Sequence, residues 1–337
     1  MIVSRYTGIG GGNIVINNLC SELQKLDYKI GIGAFTFDKE PPSGITKVKL
    51  KRIGRLENNL SKFNFDIIHC HQAHMNYYSL FSKHPFLYHY HGAATRQQRF
   101  NLKLSFLLCK KHISKVIAVS NEGLDQFTKL CGVTNSLVVY NGVDTNLFNP
   151  NLEKKFRKGS PQLLSVGILY THKRVNKIIE SMSEIVKMYP DVHLQIVGNG
   201  EEFNDLQKLI ENYKLEKHVK LLGKVSFDEL RYRYTSCDIL VSASTFELLP
   251  VSVMEAMSCG KPVLLSNLDA HKEIIYNSKA GLIDSFDNPL QVSRKIQEIF
   301  EKRSEYGLNA RNFAEKHNSS IMSKKIAEIY DNYNSMN

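Results

Sequence analysis

The chain has no apolar run near the ~18–20 residues that a helix needs to span a bilayer, so no transmembrane segment is expected. Its opening stretch, MIVSRYTGIGGGN, has no basic start, long apolar core or small-residue cleavage site. No secretory leader is read there, and a cytoplasmic location is expected. The six cysteines, Cys20, Cys70, Cys109, Cys131, Cys237 and Cys259, form no CxxC pair. That spacing argues against zinc or redox motifs and for separate reduced core thiols. Short-period repeats and low-complexity tracts are also absent. Acid is scarce in one half: residues 1–150 hold 18 Lys and Arg against 9 Asp and Glu, whereas residues 151–337 hold 26 against 24. Most of the net charge of +11 therefore sits in the first half.

Two segments concentrate that charge. Lys47, Lys49, Lys51, Arg52, Arg55 and Lys62 accompany a single acid, Glu57; Arg96, Arg99, Lys103, Lys110, Lys111 and Lys115 occur with no acid before Glu122. A basic face suits an anionic partner such as a membrane surface or a phosphorylated acceptor, and ordinary solvated charge accounts for it equally. Nucleic acid is not expected, because the basic residues lack the interleaved aromatics of a stacking platform. Residues 94–115 read as a helix whose apolar stripe, Phe100, Leu104, Leu107 and Leu108, is expected to pack into the core.

What is present is length and alternation. Domains hold roughly 100–200 residues, so 337 residues suggest two, and 42% hydrophobic residues can fill two cores. Strand-like runs alternate with helical patterns. They are expected at residues 1–4, 29–35, 66–69, 86–90, 116–119 and 136–140, then at 162–166, 193–197, 219–222, 239–242 and 262–266. Alternation of this kind predicts an α/β chain with two doubly wound parallel sheets. The join is expected in the polar segment 149–162. That gives one domain over 1–150, a second over 160–315, and a last helix over 316–337.

Ligands of open α/β sheets bind beyond the carboxyl ends of the strands. The segment STFELLPVSVMEAMSCGKPV, residues 244–263, lies at such an end. Pro250 suits a first helical turn, and Gly260 followed by Pro262 supplies a stop. A helix starting there aims free N–H groups at the strand ends, a ready site for a diphosphate. Glu255 lies on an otherwise apolar helix and needs partners, which sugar or ribose hydroxyls can supply.

Glu247 and Glu255, separated by seven residues and followed by Ala-Met-x-x-Gly-x-Pro-Val, resemble the hallmark of retaining glycosyltransferases of family four, which have the GT-B fold. The resemblance extends over about residues 1–290. GIGGGN (8–13), DIIHCHQAH (66–74), YHYHGA (88–93), VIAVSNEG (116–123), VVYNGVD (138–144), VGILYTHKRVNKIIES (166–181), HLQIVGNGEE (193–202) and the 218–244 segment all match stretches of that family. It implies two facing Rossmann-like domains with a cleft between them. It implies donor binding by Gly11, Gly12, Gly167, Lys173, Arg174, Gly198, Gly200, Lys224, Val225, Glu247, Leu248, Leu249, Pro250, Val251 and Glu255. Lys173 would neutralise the diphosphate, Glu247 would hold the donor sugar, Glu255 the ribose, and His91 would meet the sugar near the reacting centre. Ile168 stands where the family often carries Arg, and Arg174 is the expected substitute cation.

The resemblance implies a nucleoside-diphosphate sugar as co-substrate, a sugar or lipid-linked acceptor, and no cofactor or metal. His69, His71 and His74 invite a metal reading, but His69 and His71 are expected on opposite faces of their strand, so none is expected there. The alternative is a non-catalytic GT-B protein that holds a nucleotide sugar or a partner enzyme. A nicotinamide-dependent oxidoreductase is disfavoured, because GIGGGN has Asn13 at its third motif position and follows only four strand residues.

Overall fold

The computed structural model describes residues 1–8, 11–50, 65–132 and 135–334. The basic run Lys51, Arg52, Arg55 and Lys62, with Glu57, lies outside the described residues, as do Ile9 and Gly10 of the glycine loop. The chain divides into two compact units: Met1–Gly142 together with His317–Asn337, and Val143–Lys316. The boundary falls before the polar segment in which the join is expected from sequence. That segment is bonded into the second unit. The Phe156 N–H donates to Ser236 Oγ (3.0 Å), and Arg157 makes a two-pronged ion pair with Asp238 (2.9 and 3.0 Å).

In the first unit, strands β1 (Arg5–Tyr6) and β3 (Thr36–Phe37) form a small parallel ladder. Strand β2 (Gly31–Ala34) pairs with β4 (Thr46–Lys49), and β5 (Ile68–Cys70), β6 (Phe86–Tyr90), β7 (Lys115–Ala118) and β8 (Ser136–Val138) form a four-stranded parallel ladder. Ile2 joins the two ladders through parallel bridges to Gly33 and Cys70. Helix Ser319–Asn334 packs against helix Gly11–Gln24 in the same unit, where the Tyr28 hydroxyl donates to Asp331 (2.5 Å).

The second unit holds a six-stranded, all-parallel sheet. Its strands are β9 (Gln162–Val166), β10 (His193–Val197), β11 (Val219–Gly223), β12 (Ile239–Ser242), β13 (Val263–Ser266) and β14 (Gly281–Asp284), in spatial order β11-β10-β9-β12-β13-β14. Central strands such as β12 and β13 are apolar and buried at nearly every position, as expected of a sheet covered on both faces by crossover helices. Gln162 can be buried there because its side chain accepts from the Lys158 N–H (2.6 Å) and donates to the Phe156 carbonyl (3.1 Å). Counted from β9, the order is 3-2-1-4-5-6, the doubly wound Rossmann order, which reverses between β9 and β12. No described helix is long and apolar enough to cross a membrane.

Candidate active site

The reversal puts the loops leaving β9 and β12 side by side, and both carry the expected residues. The β9 loop contains Gly167, Ile168 and Lys173, and the β12 loop contains Glu247. Lys173 Nζ forms an ion pair with Glu247 Oε1, which also accepts from Ser244 Oγ (2.9 Å). The two loops are stitched again nearby, where the His172 carbonyl accepts from the Thr245 N–H (2.7 Å) and from its hydroxyl (3.2 Å). Underneath, Ser266 Oγ donates to the Ser244 carbonyl (2.5 Å) and contacts His271 Nδ1 (2.9 Å). The acid and the ammonium are thus held in place without a ligand. Their side chains are largely buried, 24% exposed for Lys173 and 15% for Glu247.

Helix Val251–Ser258 follows, with Pro250 as its N-cap residue and the buried Leu248 and Leu249 anchoring the loop below it. Beyond its end, Gly260 takes φ +68, a left-handed turn that costs glycine little, and the Gly260 N–H caps the Met257 carbonyl. Glu255 projects from this helix and is 3% exposed. Its Oε2 accepts from the Tyr234 hydroxyl (2.7 Å), and its Oε1 has no partner among the described residues. Burial pushes its pKa up from 4.5 to about 7, against the opposing pull of the Tyr234 hydrogen bond. An unpaired buried oxygen costs about 1–3 kcal/mol, so this carboxylate is primed for a hydroxyl donor.

The remaining expected donor residues fall around the same strand ends. Gly198 and Gly200 follow β10 and cross the β9 loop closely: a Cβ on Gly198 would lie 1.8 Å from the Gly167 carbonyl, and one on Gly200 2.4 Å from that of Leu169. These glycines are therefore required by backbone packing, whatever binds above them. Lys224, exposed, and Val225, partly buried, follow β11, and Val251 opens the helix. Arg174 differs from expectation. It takes a left-handed conformation (φ 49), and its guanidinium is tied to Asp287 (2.8 Å) and the Ser285 carbonyl (3.3 Å). It does not line the hollow that holds Lys173 and Glu247, and Ile168, 49% exposed, offers no cation.

The family model for glycosyl transferases group 1 matches residues 150–317, and that for glycosyltransferase family 4 matches residues 9–147. The chain belongs to the group 1 glycosyltransferases. Among relatives, it is 24% identical to an uncharacterised glycosyltransferase of Methanocaldococcus jannaschii, MJ1178, over 97% of this chain and 95% of that protein. It is 24% identical to alpha-monoglucosyldiacylglycerol synthase of Acholeplasma laidlawii, over 57% of this chain and 48% of that protein. Among solved structures, Anabaena Alr3699/HepE in complex with UDP and glucose superposes with a TM-score of 0.83, at 20% identity, over 98% of this chain and 99% of that chain. The fold is that of the GT-B glycosyltransferases.

In the first unit of this glycosyltransferase, a cavity of about 300 Å³ lies at the ends of β5 and β6. His71, His74, His91 and Gly12 line it, together with Asn13, Gln98 and Asn101, and among the described residues no Asp or Glu does. Gly12 lies in helix Gly11–Gln24, which Gly11 opens, and a Cβ on Gly12 would meet nothing within 4 Å. His91 Nε2 is 3.0 Å from His71 Nδ1, and burial lowers the His91 pKa to about 4, so its ring is neutral near pH 7.

The expectation that His69 and His71 point to opposite faces is wrong. Residues two apart on a strand share a face, and these rings stack at 4.5 Å and 25°. His89 and His91 continue the stack on the neighbouring strand, at 4.6 Å. Sequence reasoning also missed Tyr234, which holds Glu255, and the cavity residues Gln98 and Asn101. Asn13 alone had a signal, standing in the glycine loop.

The stripe on helix Arg96–Cys109 is likewise corrected. The helix buries Leu102, Phe106 and Cys109, whereas Phe100 (63% exposed), Leu104, Leu107 (67%) and Leu108 face outward beside Lys103, Lys110 and Lys111. Leu80 and Phe81, on the 3-10 segment packed against this helix, are also exposed.

Proposed function

We propose that the chain moves a hexosyl group from a nucleoside-diphosphate sugar to a hydroxyl of a glycan or lipid-linked acceptor, with retention at the anomeric carbon, in the synthesis of surface polysaccharide or glycolipid. The observation that carries the reading is the Lys173–Glu247 pair, fixed across the two loops of the switch point and one helix away from the unpaired oxygen of Glu255. A diphosphate gains charge as it leaves, and a fixed ammonium favours that charge over the ground state. In this reading the donor takes Lys173 onto its diphosphate, the freed Glu247 accepts from sugar hydroxyls, and Glu255 accepts from the ribose. The acceptor oxygen attacks C1 on the face that the leaving group departs. The C1–O bond to phosphate breaks, and the acceptor proton passes to the departing phosphate oxygen, so neither a protein base nor a resident metal is required for the transfer. His91, neutral, is assigned to hydroxyls near the reacting carbon. The UDP and glucose held by HepE favour a uridine donor.

The exposed apolar row on helix Arg96–Cys109, ringed by lysines, supports an acceptor presented at an anionic membrane surface. Apolar side chains enter the acyl boundary while the cations meet lipid phosphates. The name of the Acholeplasma relative favours a lipid acceptor.

The test is a thermal-shift screen against UDP-, GDP- and ADP-sugars, followed by NMR of the product's anomeric configuration. A ligand that binds only the folded state raises its stability. Stabilisation by one nucleotide sugar and an anomer matching the donor are expected. No stabilisation by any of them, or an inverted anomer, overturns the reading.

A further inference from the structure

We propose that His69, His71 and His89 form a binding site for a divalent transition metal of the zinc class, in the first unit and independent of the donor loops. One ring nitrogen of each lies within 4.8 Å of one from each of the others. The spacing that creates the set is His-x-His at the end of β5, which puts two imidazoles on one face, with His89 beside them on the adjacent strand. All three are buried: His69 is 2% exposed, His71 5% and His89 0%.

The hydrogen bonds leave this cluster unfinished. His69 Nδ1 is bonded to the Tyr330 hydroxyl (2.7 Å), and its Nε2 has no partner among the described residues. Both nitrogens of His89 likewise lack partners among them. Each orphan costs about 1–3 kcal/mol, so three in one place are an expensive way to fill a core that Val or Leu would fill freely. A metal lowers the cost at two of the three, because the lone pairs of His69 Nε2 and of one His89 nitrogen become coordinate bonds, while the other His89 nitrogen keeps its N–H.

The outer contacts have the layout of a metal site. A ligating imidazole usually bonds its second nitrogen to a neighbour that fixes its tautomer. His69 has Tyr330 in that position, which leaves its Nε2 for the ion; His71 Nδ1 has His91 Nε2 at 3.0 Å, and its Nε2 would exchange a 3.4 Å contact with Met1 Sδ for the ion. Burial lowers the pKa of all three rings, which keeps them in the neutral form that metals bind. The rings now stack, so coordination requires them to turn about the soft χ2 torsion until their nitrogens reach the roughly 3.3 Å separation of tetrahedral zinc with bonds of about 2.0–2.1 Å. Imidazoles with no carboxylate select zinc, copper, nickel or cobalt over magnesium and calcium. The 300 Å³ cavity reaches the set at His71 and is the approach from that side. A metal on His71 Nε2 makes Nδ1–H the donor to His91, so occupancy fixes the tautomer of His91.

The experiment titrates the full chain, free of any polyhistidine tag, with Co²⁺ and Zn²⁺. One equivalent of Co²⁺ should give the visible d–d absorption of a tetrahedral site, Zn²⁺ should displace it, and Zn²⁺ should raise Tm. Tyr330→Phe should weaken binding about tenfold or more by freeing the His69 ring, and His89→Leu should abolish it. X-ray absorption of the zinc-loaded wild type should show a shell of three imidazoles, and it decides the matter even if His89→Leu fails to fold. Absence of cobalt absorption and of a Tm rise in the wild type overturns the proposal. So does a shell with one imidazole or none, or undiminished binding in a folded His89→Leu chain.

Discussion

The two units hold their polar centres by opposite means. The second unit uses full charges already paired, Lys173 with Glu247 and Arg174 with Asp287, beside a Glu255 that leans on the neutral Tyr234 hydroxyl. The first unit uses four buried or partly buried neutral imidazoles stacked on one sheet face, beside a cavity lined by no carboxylate. A diphosphate needs fixed cations and N–H groups, and charges that are pre-paired need little rearrangement when it arrives. Neutral rings leave the first unit adaptable, with its strong charge displaced to the outer face of helix Arg96–Cys109. On the proposed reading, the contrast separates a site shaped around the donor from a surface that locates the acceptor.

The contrast breaks most sharply at Lys173. Lys173→Ala should cut transfer by about 10²–10³-fold, the cost of one transition-state charge contact, and release Glu247 from its partner. Steady-state kinetics with circular dichroism as a folding check measures this. A fully active variant would show that the pair is only structural.

Glu255 sharpens the contrast through pH. Its pKa is about 7 in the folded chain and 4.5 when unperturbed. Between these values the unfolded chain gives up its proton first, so ligand-free stability should fall as pH rises from about 4.5 to 7. The fall is on the order of 3 kcal/mol, at 1.36 kcal/mol per pKa unit, and is flat on either side. Urea denaturation of Glu255→Gln across this range should lack that slope, and the variant should bind the donor more weakly.

Replacing Lys103, Lys110 and Lys111 with Ser should lower binding to anionic liposomes by up to about 3 kcal/mol at low salt, and should leave donor affinity unchanged. Salt should erase the difference. Arg99 is left out, because its Nε holds the Ala93 carbonyl (3.1 Å). Co-sedimentation reads the result, and equal binding to neutral liposomes would remove the membrane surface as partner.

His91→Gln should slow transfer about tenfold, the worth of one neutral hydrogen bond, without altering donor affinity by calorimetry. The smallest change expected is a gain: Ile168→Arg adds a cation beside the Lys173 hollow and should tighten donor binding a few-fold. No gain would place the diphosphate away from that rim.

Much of the fold was legible in the sequence, because strands buried on both faces print as apolar runs such as ILVS and VLLS. Strand β4 was missed because it buries Val48 alone, and β14 because GLID begins with glycine and ends with aspartate. Helical spacing marked Phe100, Leu104, Leu107 and Leu108 as one stripe, but periodicity says only that residues share a side, not what covers it. Here the helix has a second stripe, Leu102, Phe106 and Cys109, and that one is buried. In the donor loops the residue types were readable from their order, whereas Tyr234 reaches Glu255 only through the packing of two helices 21 residues apart. The tie between Arg174 and Asp287, 113 residues apart, was equally invisible along the chain.

The doubled hydrogen bond from Thr245 to the His172 carbonyl has a consequence for how this enzyme can diverge. It welds the two rim loops into a single piece, so neither can swing as a lid without the other. If the donor sits here as proposed, a rim of that kind chooses its sugar by the outline of fixed side chains. New donor preferences should therefore arise by exchanging single residues along the edge, with loop length and loop motion left as they are.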